Sequence, residues 1–147
     1  MPRIAIARTD AELDACYPVM AQLRHRISRE AFVPRVRELA AATGLEIAFL
    51  EDDGIKAVAG YRLSDWLAGG RYLEIEDLVT AEGARSRGYG GSLFDWLAAL
   101  GARSGCRQLR LVSNVRRVDA HRFYQRKGMT LEAHYFSMDL VGTDKAG

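Results

Sequence analysis

Apolar and polar positions change period along the chain, and these changes predict its elements. Between Leu13 and Leu23 the apolar residues recur every three or four positions, which predicts a helix of about four turns. Thr9 and Glu12 fit a capping box at the start of this helix. A second helix is predicted from its cap at Ser28 to about Ala42, and Gly44 is placed to end it.

Alternation of apolar and polar residues predicts strands in the middle of the chain. The stretches from Leu45 to Glu51 and from Ile55 to about Leu63 flank a turn whose Asp53-Gly54 pair supplies the geometry of a hairpin. A further strand is predicted from Arg71 to Thr80. Its alternation places Glu74, Glu76, Leu78 and Thr80 on one face and Leu73, Ile75, Asp77 and Val79 on the other.

Helix and strand alternate in the last third of the chain. The elements predicted there are a helix from about Tyr89 to Arg103, a strand from Leu109 to Ser113, a short helix from Val118 to Lys127, and a last strand from Thr130 to Leu140. No repeat or linker interrupts the pattern, so residues 1–142 are expected to form one domain, with a polar tail at 143–147. The order ααβββαβαβ predicts an α/β (α+β) fold, a mixed sheet with helices on both faces.

Composition narrows the class of protein. The chain has 147 residues, 48% of them hydrophobic and 27% charged, as in an ordinary globular domain. It contains no run of about 18 apolar residues, and its N-terminus lacks the apolar core of a signal peptide. Cys16 and Cys106 lie far apart without a CxxC partner, so neither a disulfide framework nor a metal site is expected. A reducing, cytoplasmic location is expected.

Charge is unevenly distributed along the chain. The net charge of +2 is too small for bulk nucleic-acid binding, yet ten basic and two acidic residues lie between Arg85 and Lys127. This asymmetry favours a fold in which the basic half of the molecule binds an anion. A solvated arginine-rich surface is the other interpretation. A nucleic-acid binder would need a steep dependence of binding on salt, and the acidic strand before Arg85 argues against it.

The segment from Thr80 to Ser92 joins a strand to a helix, and its glycines lie at the helix N-terminus. Free amides there, with the helix dipole behind them, form a natural site for a diphosphate. Gly88, Gly90 and Gly91 would let the backbone approach such a ligand closely. The segment lacks the ending of a Walker loop, and Leu93 breaks the dinucleotide fingerprint. A glycine-rich turn without a ligand is the alternative.

Two motifs together resemble a known family. Arg85-x-x-Gly88-x-Gly90 follows a strand, and a second βα unit ends Ala120-x-x-Phe123-Tyr124-x-x-x-Gly128-Met129. This combination resembles the GNAT superfamily of acyl-CoA-dependent N-acetyltransferases. The resemblance implies the GNAT fold with its mixed, mostly antiparallel sheet, acetyl-CoA as acyl donor, no metal, and direct transfer of acetyl to a primary amine.

The resemblance also assigns roles to individual residues. It implies that the backbone of Leu78, Val79 and Thr80 pairs with the pantetheine arm. The coenzyme pyrophosphate would be wrapped by Arg85, Ser86, Arg87, Gly88, Tyr89, Gly90, Gly91 and Ser92. Tyr124 matches the tyrosine that protonates the departing thiolate, and a phenol of ordinary pKa near 10 can donate at neutral pH. Packing in the core is the alternative role of Tyr124. The family often has Asn where Arg117 stands, and Asn114 is offset by three residues.

The general base must accept a proton from an amine, and three carboxylates lie close together in the acidic strand. Glu76 is the first candidate because it shares the predicted strand face of Leu78 and Thr80 and precedes the implied pantetheine contacts by two residues; Glu74 and Asp77, the latter on the opposite face, are reserves. An edge strand with charged outward positions is the structural alternative.

The acceptor is expected to be a small-molecule or peptide amine, with no nucleic acid or membrane as partner. A non-catalytic module that senses acyl-CoA is the alternative function. The stretch after Gly128 is short for a two-strand hairpin. Either one long bent strand completes the sheet or a neighbouring subunit of a homodimer does.

Overall fold

The structure is a computed structural model and describes residues 1–142. The strands are β1 Arg3–Ile6, β2 Glu46–Glu51, β3 Ile55–Trp66, β4 Gly70–Thr80 and β5 Gln108–Leu111; the helices are α1 Asp10–Met20, α2 Arg29–Thr43, α3 Tyr89–Arg103 and α4 Val118–Arg126. The chain divides into two compact units, Met1–Arg110 and a second that begins at Leu111. That residues 1–142 act as one domain stays a prediction.

The ends of α1 and α2 follow the capping signals in the sequence. The Glu12 amide donates to Thr9 Oγ1 at 3.1 Å and the Thr9 amide donates to Glu12 Oε1 at 3.0 Å, which completes the capping box. The Ser28 hydroxyl accepts from the Ala31 amide at the start of α2. Gly44 ends α2 with a φ of 77°, a conformation that glycine adopts without strain. Both predicted helices are confirmed.

Five strands form one sheet in the order β1-β2-β3-β4-β5. The pairs β1–β2, β2–β3 and β3–β4 are antiparallel. The Arg107 amide donates to the Arg71 carbonyl at 2.8 Å and Arg110 contacts Glu74, so β5 runs in the same direction as β4. The sequence pattern missed β1, whose four residues are too few to show a period. β5 also begins and ends earlier than predicted.

Helices cover both faces of this sheet. One face packs with α1 and α2 around a core that includes Leu13, Phe32 and Val58. On the other face α3 lies so close to β4 that a Cβ on Gly101 would be 3.4 Å from the Cβ of Leu73. The predicted fold class, a mixed and mostly antiparallel sheet between helices, is confirmed for the first unit.

A β-bulge in β4 overturns the predicted faces of that strand. Gly60 pairs with Asp77, but the next residue, Tyr61, pairs with Ile75, so Glu76 is the extra residue. Cross-strand partners share a face, and the alternation therefore shifts at Glu76. The face toward α3 carries Leu73, Ile75, Leu78 and Thr80; the face toward α1 and α2 carries Glu74, Asp77 and Val79. The sequence pattern could not show the insertion because it concerns pairing with β3.

The second unit contains α4 and the chain that follows it. The helix predicted from Val118 is confirmed. The strand predicted from Thr130 to Leu140 is wrong, since residues 129–142 form neither helix nor strand. Alternation marks two faces but supplies no partner, and a strand exists only where its backbone groups pair. Large apolar side chains are exposed here at Leu131, Tyr135, Phe136, Met138, Leu140 and Val141. The predicted polar tail lies outside the described residues.

Candidate active site

The loop between β4 and α3 is shaped by three residues in the left-handed region. Gly83, Ser86 and Gly88 have φ values of 82°, 69° and 81°. Left-handed residues among right-handed ones turn successive amides toward one side and create a concavity that suits anions. Ser86 is the informative one, because a serine in this region is strained and such strain clusters at functional sites.

The N-terminus of α3 has no side-chain cap among the described residues. Gly88 is the N-cap, and the first turn of the helix holds no acidic residue. The first amides of a helix have no intrahelical acceptor and carry the positive end of the dipole. With exposed Arg85 and Arg87 beside it, this end is a positively charged cradle of backbone amides.

Gly90 has a packing role in addition to the one its motif implies. A Cβ on Gly90 would lie 2.9 Å from Thr80 Oγ1, closer than real Cβ contacts permit. The glycine therefore allows α3 to approach the end of β4, rather than only clearing space for a phosphate. It fixes the distance between the amides of α3 and the strand on which the implied pantetheine contacts lie.

Gln22, just after α1, holds the start of the loop, and sequence reasoning missed it. Its side-chain amide donates to the Thr80 carbonyl at 3.0 Å and its oxygen accepts from the Glu82 amide at 3.0 Å. One side chain thus satisfies two backbone groups on either side of Ala81. No sequence signal could reveal it, because a glutamine in a turn 58 residues before its partner has no distinguishing pattern.

The phenol of Tyr89 has a partner outside the loop, which leaves only its backbone for the implied pyrophosphate contact. The hydroxyl donates to Asp52 Oδ2 at 2.7 Å and so ties the β2–β3 turn to the start of α3. This hydrogen bond to a carboxylate raises the pKa of Tyr89 above its usual value. The phenol is therefore protonated at neutral pH and serves as an anchor.

Each of the three acidic residues in β4 is paired with an arginine from a different element. Glu74 accepts from Arg110 Nε of β5 at 2.9 Å, and Glu76 accepts from an Arg62 nitrogen of β3 at 2.8 Å. Asp77 accepts from Arg24, which follows α1, with Nε at 2.8 Å from its Oδ1. Carboxylates and guanidinium groups therefore neutralise each other along this stretch of the sheet.

Exposure separates the three carboxylates. The side chain of Glu76 is 36% exposed, that of Glu74 28% and that of Asp77 12%. Arg110, the partner of Glu74, is further held by cation–π contacts, with its guanidinium carbon 3.7 Å from the Tyr72 ring centroid and 4.5 Å from that of Trp66. Glu76 is thus the most accessible of the three, and it lies in the bulge.

Tyr124 lies in the middle of α4, in the second unit. Its ring packs edge-on against Phe123, with 5.3 Å between centroids, and its side chain is half-buried. Arg117 is the N-cap of α4 but makes no side-chain capping bond. Asn114 instead accepts from the Arg116 amide through its side chain at 2.9 Å, so it shapes the turn before the helix.

Other chemistries find little support among residues 1–142. Burial raises the pKa of the Cys16 thiol to about 12, so this thiol is a poor nucleophile at neutral pH. No three His, Cys, Asp or Glu side chains in the described range are grouped to hold a metal ion. Within the same range, no helix is both long and apolar enough to cross a membrane.

Comparison with known sequences identifies the family. Residues 9–129 match the profile of the acetyltransferase (GNAT) family. The uncharacterized N-acetyltransferase YhdJ of Bacillus subtilis (strain 168) is 34% identical over 122 residues, which cover 82% of this chain and 86% of that protein.

Solved structures share the fold at low identity. An aminoglycoside N-acetyltransferase, AAC(6')-Iy, in complex with CoA matches with a TM-score of 0.79 and 18% identity, over 96% of this chain and 97% of that one. A transcriptional regulator from Bacillus halodurans C-125 matches with a TM-score of 0.83 and 22% identity, over 95% and 100%. From the family match over most of its length, we conclude that the chain belongs to the GNAT acetyltransferases, which are acyl-CoA-dependent N-acetyltransferases.

Proposed function

We propose that this chain transfers the acetyl group of acetyl-CoA to a primary amine by direct attack. The observation that carries the proposal is the backbone cradle at the start of α3, directly after the strand that presents Glu76. The amides of this cradle suit a diphosphate. The strand that leads into the loop carries the Glu76 carboxylate as a candidate base. The residues present therefore fit an acyl-CoA donor.

The chain's own groups would hold the donor in two places. The loop residues Arg85, Ser86 and Arg87, with the amides of Gly88 to Ser92, would bind the pyrophosphate. The backbone of Leu78, Val79 and Thr80 would pair with the pantetheine arm and direct the thioester toward the bulge. Holding amine and thioester together can supply about 7–11 kcal/mol of the barrier when alignment is good.

Two side chains would move the protons. Glu76 would accept a proton from the ammonium or amine, directly or through a water. As the N–C bond forms and the C–S bond breaks, Tyr124 would donate its phenolic proton to the sulfur that leaves. An ammonium gives up two protons from nitrogen: one passes through Glu76 to solvent, and the other replaces the proton that Tyr124 gives to sulfur. The products are the amide, the free thiol and one proton, so the reaction needs no oxidant or reductant.

A non-catalytic sensor of acyl-CoA is the second candidate. The observation that favours it is the pairing of every acidic residue in β4 with an arginine, which leaves each candidate base engaged. A sensor would bind acetyl-CoA through the same cradle without turnover.

The experiment that separates the two follows free thiol from acetyl-CoA with a panel of amines, beside calorimetric binding of CoA. The proposal expects micromolar to millimolar CoA binding and thiol release that depends on at least one amine. CoA binding without amine-dependent release would support the sensor. Absence of CoA binding would contradict both.

We also propose that residues 1–142 function as one domain in a cytoplasmic homodimer. The exposed apolar side chains after Thr130 support a neighbouring subunit as the completing surface. Sedimentation at several concentrations tests this, and a monomer at all of them would contradict it.

A further inference from the structure

Arg62 is held in place by a second partner besides Glu76. One terminal nitrogen donates to Glu76 at 2.8 Å and the other donates to Thr43 Oγ1 at 3.1 Å. Thr43 lies in the last turn of α2 and donates in turn to the Leu39 carbonyl at 2.8 Å. A guanidinium at a helix C-terminus is also favoured by the dipole. Arg62 therefore keeps its position even when Glu76 moves away.

Arg62 has more N–H donors than protein acceptors. Its Nε is buried and meets no acceptor among the residues described, whereas buried donors in proteins are nearly always satisfied. A guanidinium can donate from Nε and one terminal nitrogen to the two oxygens of a single carboxylate. Arg62 thus offers a donor in excess of its protein partners, next to the most exposed carboxylate of β4.

The charges around the bulge are balanced. Because Arg24, Arg62 and Arg110 neutralise Asp77, Glu76 and Glu74, this surface has no unpaired carboxylate to attract a polycation. A ligand with one positive and one negative group can separate an ion pair without leaving a charge unpaired. Its negative group binds the arginine, and its positive group binds the carboxylate.

We propose that the acceptor is an amine that also carries a carboxylate, and that it inserts between Arg62 and Glu76. The acceptor carboxylate would bind the terminal nitrogen of Arg62 that now donates to Glu76, and its ammonium would bind Glu76. One ion pair and one zwitterion become two ion pairs, so charge is conserved. This inference rests on the proposed function and makes Arg62 the residue that determines acceptor class.

Insertion also explains how Glu76 becomes available as a base. In the closed pair Glu76 is shared with Arg62, whereas in the complex it faces the ammonium whose proton it must accept. The neighbouring pairs are less suited to exchange. Asp77 is largely buried, and Arg110 is held by two aromatic rings.

The test compares acceptors that differ only in the carboxylate. The probes are glycine, β-alanine and γ-aminobutyrate, each beside its carboxamide, with spermidine as the polycation. Loss of a charge-assisted hydrogen bond predicts that kcat/KM for the best carboxylate exceeds that of its amide by about tenfold to a hundredfold. Spermidine should be poorer still. Equal values for carboxylate and amide, or a preference for spermidine, would overturn the inference.

Variants of Arg62 test whether this residue causes the preference for a carboxylate over its amide. Arg62→Gln should reduce the ratio of carboxylate to amide to about one without changing CoA affinity, and Arg62→Lys, which keeps the charge but loses the planar set of donors, should give an intermediate ratio. Arg3→Gln is the matched control, because Arg3 pairs with Glu51 between β1 and β2 and should leave the ratio unchanged. A ratio that survives Arg62→Gln in a folded protein would contradict the role of Arg62.

Binding provides a readout that does not depend on turnover. Calorimetry on the CoA-loaded protein should detect the amino acid and not its amide. If CoA binds and the amino acid does not, this inference fails while the proposed function stands. If CoA does not bind, the proposed function itself fails.

Discussion

The two halves of β4 build their sites by different means. Beyond the bulge, from Leu78 into the loop, the groups that the proposed function assigns to the coenzyme are backbone amides and carbonyls, oriented by φ values and by the close approach of α3. Before and at the bulge, from Glu74 to Asp77, the groups are side chains held by three arginines. The first site depends on what the backbone can adopt, and the second on which side chains meet in space.

That difference decides which changes should affect which substrate. Side-chain substitutions at the bulge should alter acceptor kinetics, because they change charges and proton acceptors. Substitutions that disturb the backbone near Thr80 should alter coenzyme affinity, because amides cannot be removed by mutation but can be displaced. Substitutions in each half test this division. A substitution of Tyr124, which lies in neither half, has the largest expected effect.

Tyr124→Phe should produce the largest loss. The change retains the ring that packs against Phe123 and removes only the proposed proton donor, so kcat should fall by about 10²- to 10⁴-fold. Coenzyme affinity should change by less than about tenfold, since one hydrogen bond is worth at most about 1.5 kcal/mol. Steady-state kinetics and CoA calorimetry measure the two, with Tyr135→Phe, an exposed tyrosine of the same unit, as control. An unchanged kcat would mean that solvent protonates the thiolate.

Glu76→Gln should reduce kcat by about 10²-fold, the lower end for a general base because the carboxylate is shared with Arg62. CoA affinity should stay constant. Glu74→Gln is the matched control, since Glu74 is held by Arg110 and should matter little. Should Glu74→Gln lose activity and Glu76→Gln keep it, the base is misassigned.

Gly90→Ala should weaken CoA binding by about tenfold through displacement of α3 from β4. A Cβ there lies 2.9 Å from Thr80 Oγ1, so the helix or the threonine must move. Adding Thr80→Ala removes the obstructing oxygen and should restore most of the affinity. Failure of the double variant to recover, with its fold intact by circular dichroism, would show that the Cβ blocks the ligand directly.

The same contrast explains what the sequence could reveal. Glycines and caps act locally, so Gly88 at the start of α3 and Thr9 at the start of α1 were predictable from short motifs. The bulge at Glu76 depends on β3, and the pairing of Glu76 depends on Arg62, 14 positions away. Neither leaves a local pattern. The segment after Thr130 shows the converse, because its pattern predicts a strand while its described residues, up to 142, form none.

Gln22 and Arg24 offer the smallest and sharpest test, because they lie two residues apart in one turn and contact the two halves of β4 separately. Gln22 bonds to backbone at Thr80 and Glu82, whereas Arg24 bonds to the Asp77 carboxylate. Gln22→Ala removes two hydrogen bonds that fix the loop, and a loop free to sample other conformations binds more weakly by the fraction that is competent.

We therefore expect Gln22→Ala to raise the Kd for CoA and the KM for acetyl-CoA by about fivefold, with kcat at saturation nearly unchanged. Gln22→Glu keeps the acceptor for the Glu82 amide but loses the donor to Thr80. Its Kd for CoA and its KM for acetyl-CoA should lie between those of the wild type and of Gln22→Ala. Arg24→Gln should instead raise the KM for the amine and leave CoA affinity unaltered. Kinetics with each substrate varied in turn measure kcat and the two KM values, and calorimetry measures the Kd for CoA. If Gln22→Ala changed the amine KM as much as that of acetyl-CoA, the two halves of β4 would form one coupled site, and the division between backbone and side-chain recognition would be wrong.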